Sequence, residues 1–161
     1  MTELVADPPA QAPAARPGLA LAGQLGSLAA ATRPRQWVEN GLVLAAPLAA
    51  GALLRPQVVG GVALAFIAFV CASAAVYLGN DVADRERDRH HPRKAHRAIA
   101  AGLLSPPLAV AAAVVLAALA VGGPVALGNA QLAVVVAAYL GSSAGYTLLG
   151  KHVPPAGVAA D

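Results

Sequence analysis

The stretch VVGGVALAFIAFVCASAAVYLGNDVADRERD, residues 58–88, joins a long apolar run to a dense group of charged side chains. The apolar part, Val58 to Leu78, is long enough to cross a bilayer as a helix, which takes about 20 residues. Asp81, Asp84 and Asp88 follow at positions i, i+3 and i+7, so in a continued helix their carboxylates share one face. The stretch therefore predicts a membrane helix with an acidic site at its end.

The acidic group needs a neutralising partner, because three clustered carboxylates at a membrane surface repel one another. A hard divalent cation such as Mg²⁺ suits them, since it prefers oxygen ligands and keeps open positions for phosphate oxygens. The pattern therefore indicates an enzyme that handles a phosphorylated or diphosphorylated substrate at a membrane. A charged loop that is merely solvated and sets the topology is the alternative, and the aspartates alone do not decide between the two.

The composition of the chain indicates an integral membrane protein. Of its 161 residues, 58% are hydrophobic and 12% are charged, whereas a soluble domain is about 45–50% apolar and about 25% charged. The single cysteine, Cys71, lies inside an apolar run, so no disulfide framework exists. The formal net charge is only +3, and we expect a lipid bilayer, and no nucleic acid, as a partner of the chain.

Composition also divides the chain into three parts. Residues 1–18 are rich in proline and alanine without periodicity, which predicts a disordered tail. Residues 19–36 combine a short interfacial helix with a motif that leads into the membrane beside Trp37, a residue type suited to the headgroup level. Residues 37–161 form an all-α transmembrane domain, with spans predicted at about 38–54, 58–79, 106–121 and 131–149.

Proline and glycine mark the limits of these spans. Pro47 predicts a kink in the first span. Ser105-Pro106 predicts a helix start, with serine at the N-cap and proline at the first helical position. Gly122-Gly123-Pro124 predicts the end of the third span.

Basic residues predict the orientation in the membrane. The loop between the second and third spans carries Arg85, Arg87, Arg89, Arg93, Lys94 and Arg97. Further basic residues precede the first span or follow the fourth, whereas the turns on the opposite side hold only Arg55. The positive-inside rule then predicts a multi-pass protein of the cell membrane whose acidic loop and N-terminus face the cytoplasm.

The charged loop continues as His90-His91-Pro92-Arg93-Lys94-Ala95-His96-Arg97, so bases follow directly on the acids. The acids can hold Mg²⁺, and the bases can bind phosphate oxygens that the metal does not reach. Together they predict a diphosphate site, in which the metal draws charge off a leaving diphosphate.

These elements resemble one family. The pattern Asn80-Asp81-x-x-Asp84-x-x-x-Asp88 resembles the first aspartate-rich motif of the UbiA superfamily of intramembrane prenyltransferases. Further elements resemble its decaprenyl-phosphate phosphoribosyltransferase branch, namely Arg33-Pro34-Arg35-Gln36-Trp37-x-x-Asn40, Ala45-Ala46-Pro47 and Asp88-Arg89-x-His91-Pro92-x-Lys94-x-x-Arg97. The likeness extends from about Arg33 to the segment that holds Lys151.

The resemblance implies a helical bundle of about nine spans with a central cavity, of which this chain would supply about four. It also implies transfer of 5-phosphoribosyl from phosphoribosyl diphosphate to a polyprenyl (decaprenyl) phosphate, with Mg²⁺ as cofactor, in the synthesis of cell-wall arabinan precursors. The implied catalytic residues are Asp81, Asp84 and Asp88, which would hold Mg²⁺ together with Asn80. The implied substrate-binding residues are Arg33, Gln36, Lys94, Arg97 and Lys151.

Two positions depart from the branch, and other functions stay open. Glu39 stands where the branch usually has lysine, and Ala98 where it usually has proline. With about four spans, the chain is expected to be an N-terminal portion that forms a homo-oligomer or associates with a missing C-terminal half. One alternative is prenyl transfer from a prenyl diphosphate to an aromatic acceptor, and the other is an inactive fragment or non-catalytic membrane protein.

Overall fold

The structure is a computed structural model that describes residues 21–149. The predicted tail at 1–18 and the candidate substrate-binding residue Lys151 lie outside the described residues. Every regular element in the described part is a helix, which confirms the predicted all-α class. In chain order these are α1 (Leu21–Ala31), a 3-10 helix (Pro34–Leu44), α2 (Ala45–Ala49), α3 (Pro56–Ala83), α4 (Arg85–Arg89), α5 (Pro106–Ala126) and α6 (Ala130–Leu149).

Among the described helices, α3 and α5 are long and apolar enough to cross a membrane, each with a mean hydropathy of 2.4. They contain the second and third predicted spans. Helix α6 coincides with the fourth predicted span at 131–149, and its crossing stays a prediction. The predicted first span at 38–54 does not form one regular helix, because its residues are divided between the 3-10 helix and α2, which ends at Ala49.

Polar side chains tie the 3-10 helix to its neighbours. The Asn40 amide nitrogen donates to the hydroxyl of Ser73 on α3 at 3.1 Å. The Trp37 indole nitrogen donates to the carbonyl of Thr32 at 3.1 Å. The bond to Ser73 fixes the segment against α3, and the bond to Thr32 fixes its start, although 3-10 geometry is usually limited to short runs.

Helix α3 begins at Pro56 and continues past the predicted end at residue 79 to Ala83. Proline fits the first turn because the missing N–H would have no partner there. The extension matters for the site, because it places Asn80 and Asp81 on the last turn of a long, rigid helix. Asp84 caps it with a non-helical backbone, and the short helix α4 follows at once.

Helix α5 begins at Pro106, as the Ser105-Pro106 pair predicts. The prediction that Gly122-Gly123-Pro124 ends the helix is wrong, because α5 continues to Ala126 with Pro124 buried inside it. Neighbouring helices and local adjustments of the backbone make such a proline tolerable in a membrane helix. The helix ends instead before Gly128, whose φ of 75° suits glycine and whose N–H donates to the carbonyl of Val125 at 3.0 Å.

Helices α3, α5 and α6 pack together through small side chains. Ala72 of α3, Ala120 of α5 and Val136 of α6 are completely buried in one cluster. Lipid tails are as apolar as the helix side chains, so helices in a membrane associate through close packing, which small residues allow. Phe69 and Tyr139 add an edge-to-face ring contact beside this cluster, with centroids 5.8 Å apart.

A second cluster of buried residues lies at the charged end of α3. Leu78 of α3, Ile99 and Leu104 of the long loop, and Ala31 of α1 form its centre. The predicted short helix is present as α1, and the side-chain oxygen of its Gln24 accepts a hydrogen bond from the Ser105 N–H at 3.3 Å. Helix α1 and the loop after α4 therefore close around the end of α3, where the acidic residues lie.

Candidate functional site

The centre of the site is a pair of buried carboxylates joined by one arginine. Asp81, on the last turn of α3, is 4% exposed, and Asp88, on α4, is 2% exposed. The Arg97 Nη1 atom lies 3.1 Å from Asp81 Oδ1 and 2.8 Å from Asp88 Oδ2. Because one nitrogen donates to both, the break between α3 and α4 must turn the two acids toward the same point.

A second arginine completes the network from the other side. The Arg33 Nη2 atom donates to the same Asp81 Oδ1 at 2.8 Å, and the Arg33 Cζ atom lies 4.7 Å from the centre of the Tyr77 ring. Arg33 is the only described residue other than glycine with a positive φ, 55°. Such a backbone costs about 1–3 kcal/mol and persists where the surroundings determine it.

Charge balance explains why these acids can be buried. An ionised carboxylate inside a protein is costly unless it is paired and hydrogen-bonded. Two guanidinium groups, from Arg33 and Arg97, offset the two carboxylates of Asp81 and Asp88. We refer to these four residues below as the arginine–aspartate network.

The other two residues of the predicted metal set have different partners. Asp84 forms an ion pair with Arg87 on α4, with Arg87 Nη1 3.4 Å from Asp84 Oδ1. The Asn80 side-chain oxygen accepts a hydrogen bond from the hydroxyl of Thr147 on α6 at 2.7 Å. Within residues 21–149 no three acidic, histidine or cysteine side chains are grouped so as to hold a metal. The structure thus brings Asp81 and Asp88 together and leaves Asn80 and Asp84 beside them with other contacts.

The predicted substrate-binding residues divide in a similar way. Arg33, Gln36 and Arg97 line one cavity of about 420 Å³ together with Asp81 and His96. The Gln36 Oε1 atom itself is buried and has no hydrogen-bond partner in the described part of the chain. Lys94 is exposed in the loop and does not line the cavity. We call this space the charged cavity.

A second cavity of about 420 Å³ lies between α3, α5 and α6. Its walls are apolar side chains such as Val76, Ala117 and Leu140, and its polar members are Asn80 and Thr147. We call this space the apolar cavity. Asn80 and Asp81, neighbours in sequence, therefore border different spaces, because consecutive residues point about 100° apart around a helix.

Sequence reasoning missed two residues that the structure places at this site. Tyr77 reads as a packing residue, yet it lies one helical turn before Asp81, a spacing that puts both on one face of α3. That spacing was the available signal. Thr147 carries no local signal, because its partner Asn80 is 67 positions away in the chain.

The oxygen donors of the network suit a hard cation such as Mg²⁺. Asp81 and Asp88 place carboxylate oxygens within hydrogen-bond distance of one guanidinium nitrogen, so both oxygens already face a common positive charge. Carboxylate oxygens are the ligands that Mg²⁺ prefers, and it binds through only one or two of them alongside phosphates. The residues therefore fit the ion in chemistry, provided that the Arg97 guanidinium moves aside.

Comparison with known proteins agrees with this picture. The model of the UbiA prenyltransferase family matches residues 41–160. The decaprenyl-phosphate phosphoribosyltransferase of Corynebacterium glutamicum is 46% identical over 127 residues, which is 77% of this chain and 38% of that protein. The protein of the same name from Mycobacterium tuberculosis is 48% identical over 126 residues, covering 76% of this chain and 41% of that protein.

A more distant relative is the nodulation protein NoeC of Azorhizobium caulinodans, 35% identical over 72% of this chain and 37% of its own length. The chain thus spans about two fifths of the length of the curated phosphoribosyltransferases that it matches. The family match covers most of the chain, including α3 with its acidic end, and it agrees with the two apolar helices in indicating a membrane protein. The resemblance predicted from the aspartate motif is confirmed, and the chain belongs to the UbiA prenyltransferase family.

Proposed function

We propose that this chain supplies the donor-binding part of a membrane transferase that passes 5-phosphoribosyl from phosphoribosyl diphosphate to a polyprenyl phosphate such as decaprenyl phosphate. The observation that carries the proposal is the arginine–aspartate network, of which Arg33, Asp81 and Arg97 line the charged cavity together with Gln36. The names of relatives that are 46% and 48% identical support the choice of substrates.

Arginine suits the donor because its planar guanidinium binds phosphate oxygens with two parallel hydrogen bonds. Arg33 and Arg97 border the same cavity, and each is about one quarter exposed, so both can reach a ligand from within the fold. Lys94 lies on the exposed loop nearby and would add a mobile positive charge. In the absence of a ligand the two arginines are held by Asp81 and Asp88, which keeps them in place for the phosphates.

Mg²⁺ would be held by Asp81 and Asp88, with Asn80 and Asp84 near them in the chain, and it would offset the charge of a departing diphosphate. The protein side chains have a separate task. Arg33 and Arg97 would orient the diphosphate, and Gln36, which lines the same cavity, would contact the donor. Such positioning and charge neutralisation account for much of the rate of phosphate-group chemistry.

The lipid acceptor needs no strong general base, because its phosphate is already anionic. In the proposed reaction an oxygen of the lipid phosphate bonds to the ribose carbon that carries the diphosphate. The bond from that carbon to the diphosphate breaks, and diphosphate leaves with the electron pair. The apolar cavity between α3, α5 and α6 suits the isoprenoid chain and opens beside Asn80.

The orientation in the membrane is part of the proposal. The positively charged loop 85–97 would face the cytoplasm, where phosphoribosyl diphosphate and Mg²⁺ are available. The product would serve as a lipid-linked precursor of cell-wall arabinan. Because the chain spans about two fifths of the phosphoribosyltransferases it matches, further helices or a second copy would complete the walls of the site.

A binding and turnover experiment on the chain in lipid nanodiscs tests the proposal. Labelled phosphoribosyl diphosphate should bind in the presence of Mg²⁺, and label should pass to decaprenyl phosphate in membranes that contain the chain. Asp88→Asn should abolish binding, whereas Glu86→Gln, a matched change at an exposed acid of the same helix, should not.

The name of the matched family points to prenyl transfer as the second candidate. A parallel assay with a prenyl diphosphate and an aromatic acceptor separates the two. Turnover only with the prenyl donor would replace the proposal by this alternative, and binding of neither donor would leave a non-catalytic membrane protein.

A further inference from the structure

Two side chains of α3 hold the Arg33 side chain in place: the uncharged ring of Tyr77 and the carboxylate of Asp81. The Arg33 guanidinium lies over the Tyr77 ring at 4.7 Å and donates to Asp81 Oδ1 at 2.8 Å. Tyr77 and Asp81 are one turn apart on α3, so a single face of a rigid helix offers the arginine both a ring and a carboxylate.

The backbone of Arg33 is equally well fixed. Its N–H donates to the carbonyl of Ala30 in α1 at 3.1 Å, and its carbonyl accepts from the N–H of Gln36 in the 3-10 helix at 2.9 Å. The left-handed conformation at this junction, with φ 55° and ψ 63°, is uncommon for arginine. Strained residues of this kind persist where the surrounding contacts determine them, and they concentrate at functional sites.

The two side-chain contacts of Arg33 differ in what can displace them. Asp81 Oδ1 is shared between Arg33 and Arg97, and a phosphate or a cation in the charged cavity would compete for these same charged groups. The face of an aromatic ring carries partial negative charge, so it attracts a guanidinium and offers nothing to a phosphate. The ring contact also leaves the N–H groups at the guanidinium edge available to other acceptors.

We propose that Tyr77 is a positioning residue, which keeps the Arg33 guanidinium at the charged cavity while Asp81 exchanges its arginine partners for a ligand. The proposal rests on the proposed function of this cavity as a site for a diphosphate. The Asp81 carboxylate cannot hold Arg33 during this step, because it releases its arginine partners when the ligand binds. The Tyr77 ring keeps its contact with Arg33 throughout.

The first test compares Tyr77→Leu with Tyr77→Phe in nanodiscs. The dissociation constants of phosphoribosyl diphosphate and of inorganic diphosphate are measured with Mg²⁺ present. Loss of a cation–π contact should weaken both about fivefold in the leucine variant, whereas the phenylalanine variant keeps the ring and should stay within about twofold of the wild type. Equal affinities in the two variants would overturn the proposal.

A double-mutant cycle shows whether the ring acts through Arg33. In an Arg33→Ala background, Tyr77→Leu should cause no further loss of affinity, because the group that the ring positions is gone. A merely structural role of Tyr77 predicts the same loss in both backgrounds, and that additive result would overturn the proposal.

A third measurement does not depend on any ligand. Amide hydrogen exchange of the 3-10 helix Pro34–Leu44 should be faster in Tyr77→Leu than in Tyr77→Phe, because Arg33 anchors the start of this segment. If the wild type binds no diphosphate, the proposed function fails while this comparison still tests the hold of Tyr77 on Arg33. Identical exchange in the two variants would contradict that hold.

Discussion

The charged cavity and the apolar cavity are equal in volume, about 420 Å³ each, and lie on different sides of the end of α3. One is bordered by Arg33, Asp81 and Arg97, and the other mainly by alanine, valine and leucine side chains. Their separation depends on two adjacent residues, since Asp81 borders the first and Asn80 the second. The end of one helix thus lines a charged cavity on one side and an apolar cavity on another.

Different interactions stabilise the two cavities. The charged cavity depends on ion pairs between elements that are far apart in sequence, such as Arg33 with Asp81. The apolar cavity depends on the spacing of small side chains between helices, with one hydrogen bond from Thr147 at its rim. Substitutions that line the charged cavity should therefore have different effects from substitutions that line the apolar cavity.

The largest effect is expected from Arg97→Ala. This change removes the guanidinium that Asp81 and Asp88 share and leaves Asp88, 2% exposed, as a buried charge. Breaking a buried ion pair in this way should lower the free energy of unfolding by about 3 kcal/mol. Unfolding in mild detergent measures it, with Arg93→Ala at an exposed position of the same loop as the control. Equal stability of the two variants would show that the network does not hold the charged side together.

Ala117→Leu should affect the apolar cavity alone. The longer side chain would fill space between α3, α5 and α6. On the proposed function, in which this cavity receives the lipid, the Michaelis constant for decaprenyl phosphate should rise about tenfold because apolar contact is lost. The affinity for phosphoribosyl diphosphate should not change.

Ala118→Leu is the matched control, since Ala118 lies on α5, is exposed and does not line the cavity. A loss of donor affinity in Ala117→Leu would contradict the division of the two substrates between the cavities.

A smaller effect is expected from Thr147→Val at the rim of the apolar cavity. Valine keeps the shape of threonine and removes the hydroxyl that bonds to Asn80 at 2.7 Å. The free energy of unfolding should fall by about 1 kcal/mol, and Thr147→Ser should restore most of it. Chemical denaturation of the three proteins measures the difference, and a serine variant as unstable as the valine variant would show that the methyl group matters instead.

The smallest effect is expected from Glu86→Gln, which tests whether an exposed ion pair in the acidic stretch stabilises the protein as much as the buried pairs do. Glu86 pairs with Arg85 and Arg89, but its side chain is 67% exposed. Exposed pairs contribute little, so stability should change by less than about 0.5 kcal/mol. A loss comparable to that of Arg97→Ala would mean that burial does not distinguish the two sets of pairs.

Several parts of the fold were predictable because local chemistry determines them. The apolar run before Asn80 has no charge to interrupt it, and Ser105-Pro106 is typical of the start of a helix. The continuation of α5 through Pro124 was not predictable, because tolerance of that proline depends on neighbouring helices. The 3-10 helix was not predictable either, because a run of eleven residues does not distinguish its period from that of an α-helix. Its contact with Ser73 also joins residues that are distant in sequence.

The contacts within the candidate site also could not be predicted from local sequence alone. The spacing of Asp81, Asp84 and Asp88 predicts one acidic face if the helix continues, whereas α3 ends at Ala83. It does not reveal that Arg97 joins two of them and that Asp84 pairs with Arg87, because those contacts depend on the turn after Ala83 and on the path of the loop. The prediction that Arg33 and Gln36 bind substrate came from the family resemblance alone, and both residues line the charged cavity.

The bridge from Arg97 to Asp81 and Asp88 also bears on how such a protein can be made. An acidic site that relied on a metal for its charge balance would have to wait for that metal before its helices could settle in the membrane. Here the counterions are part of the polypeptide and arrive with it during synthesis. Charge balance at this end of the bundle therefore comes from ion pairs within the chain itself.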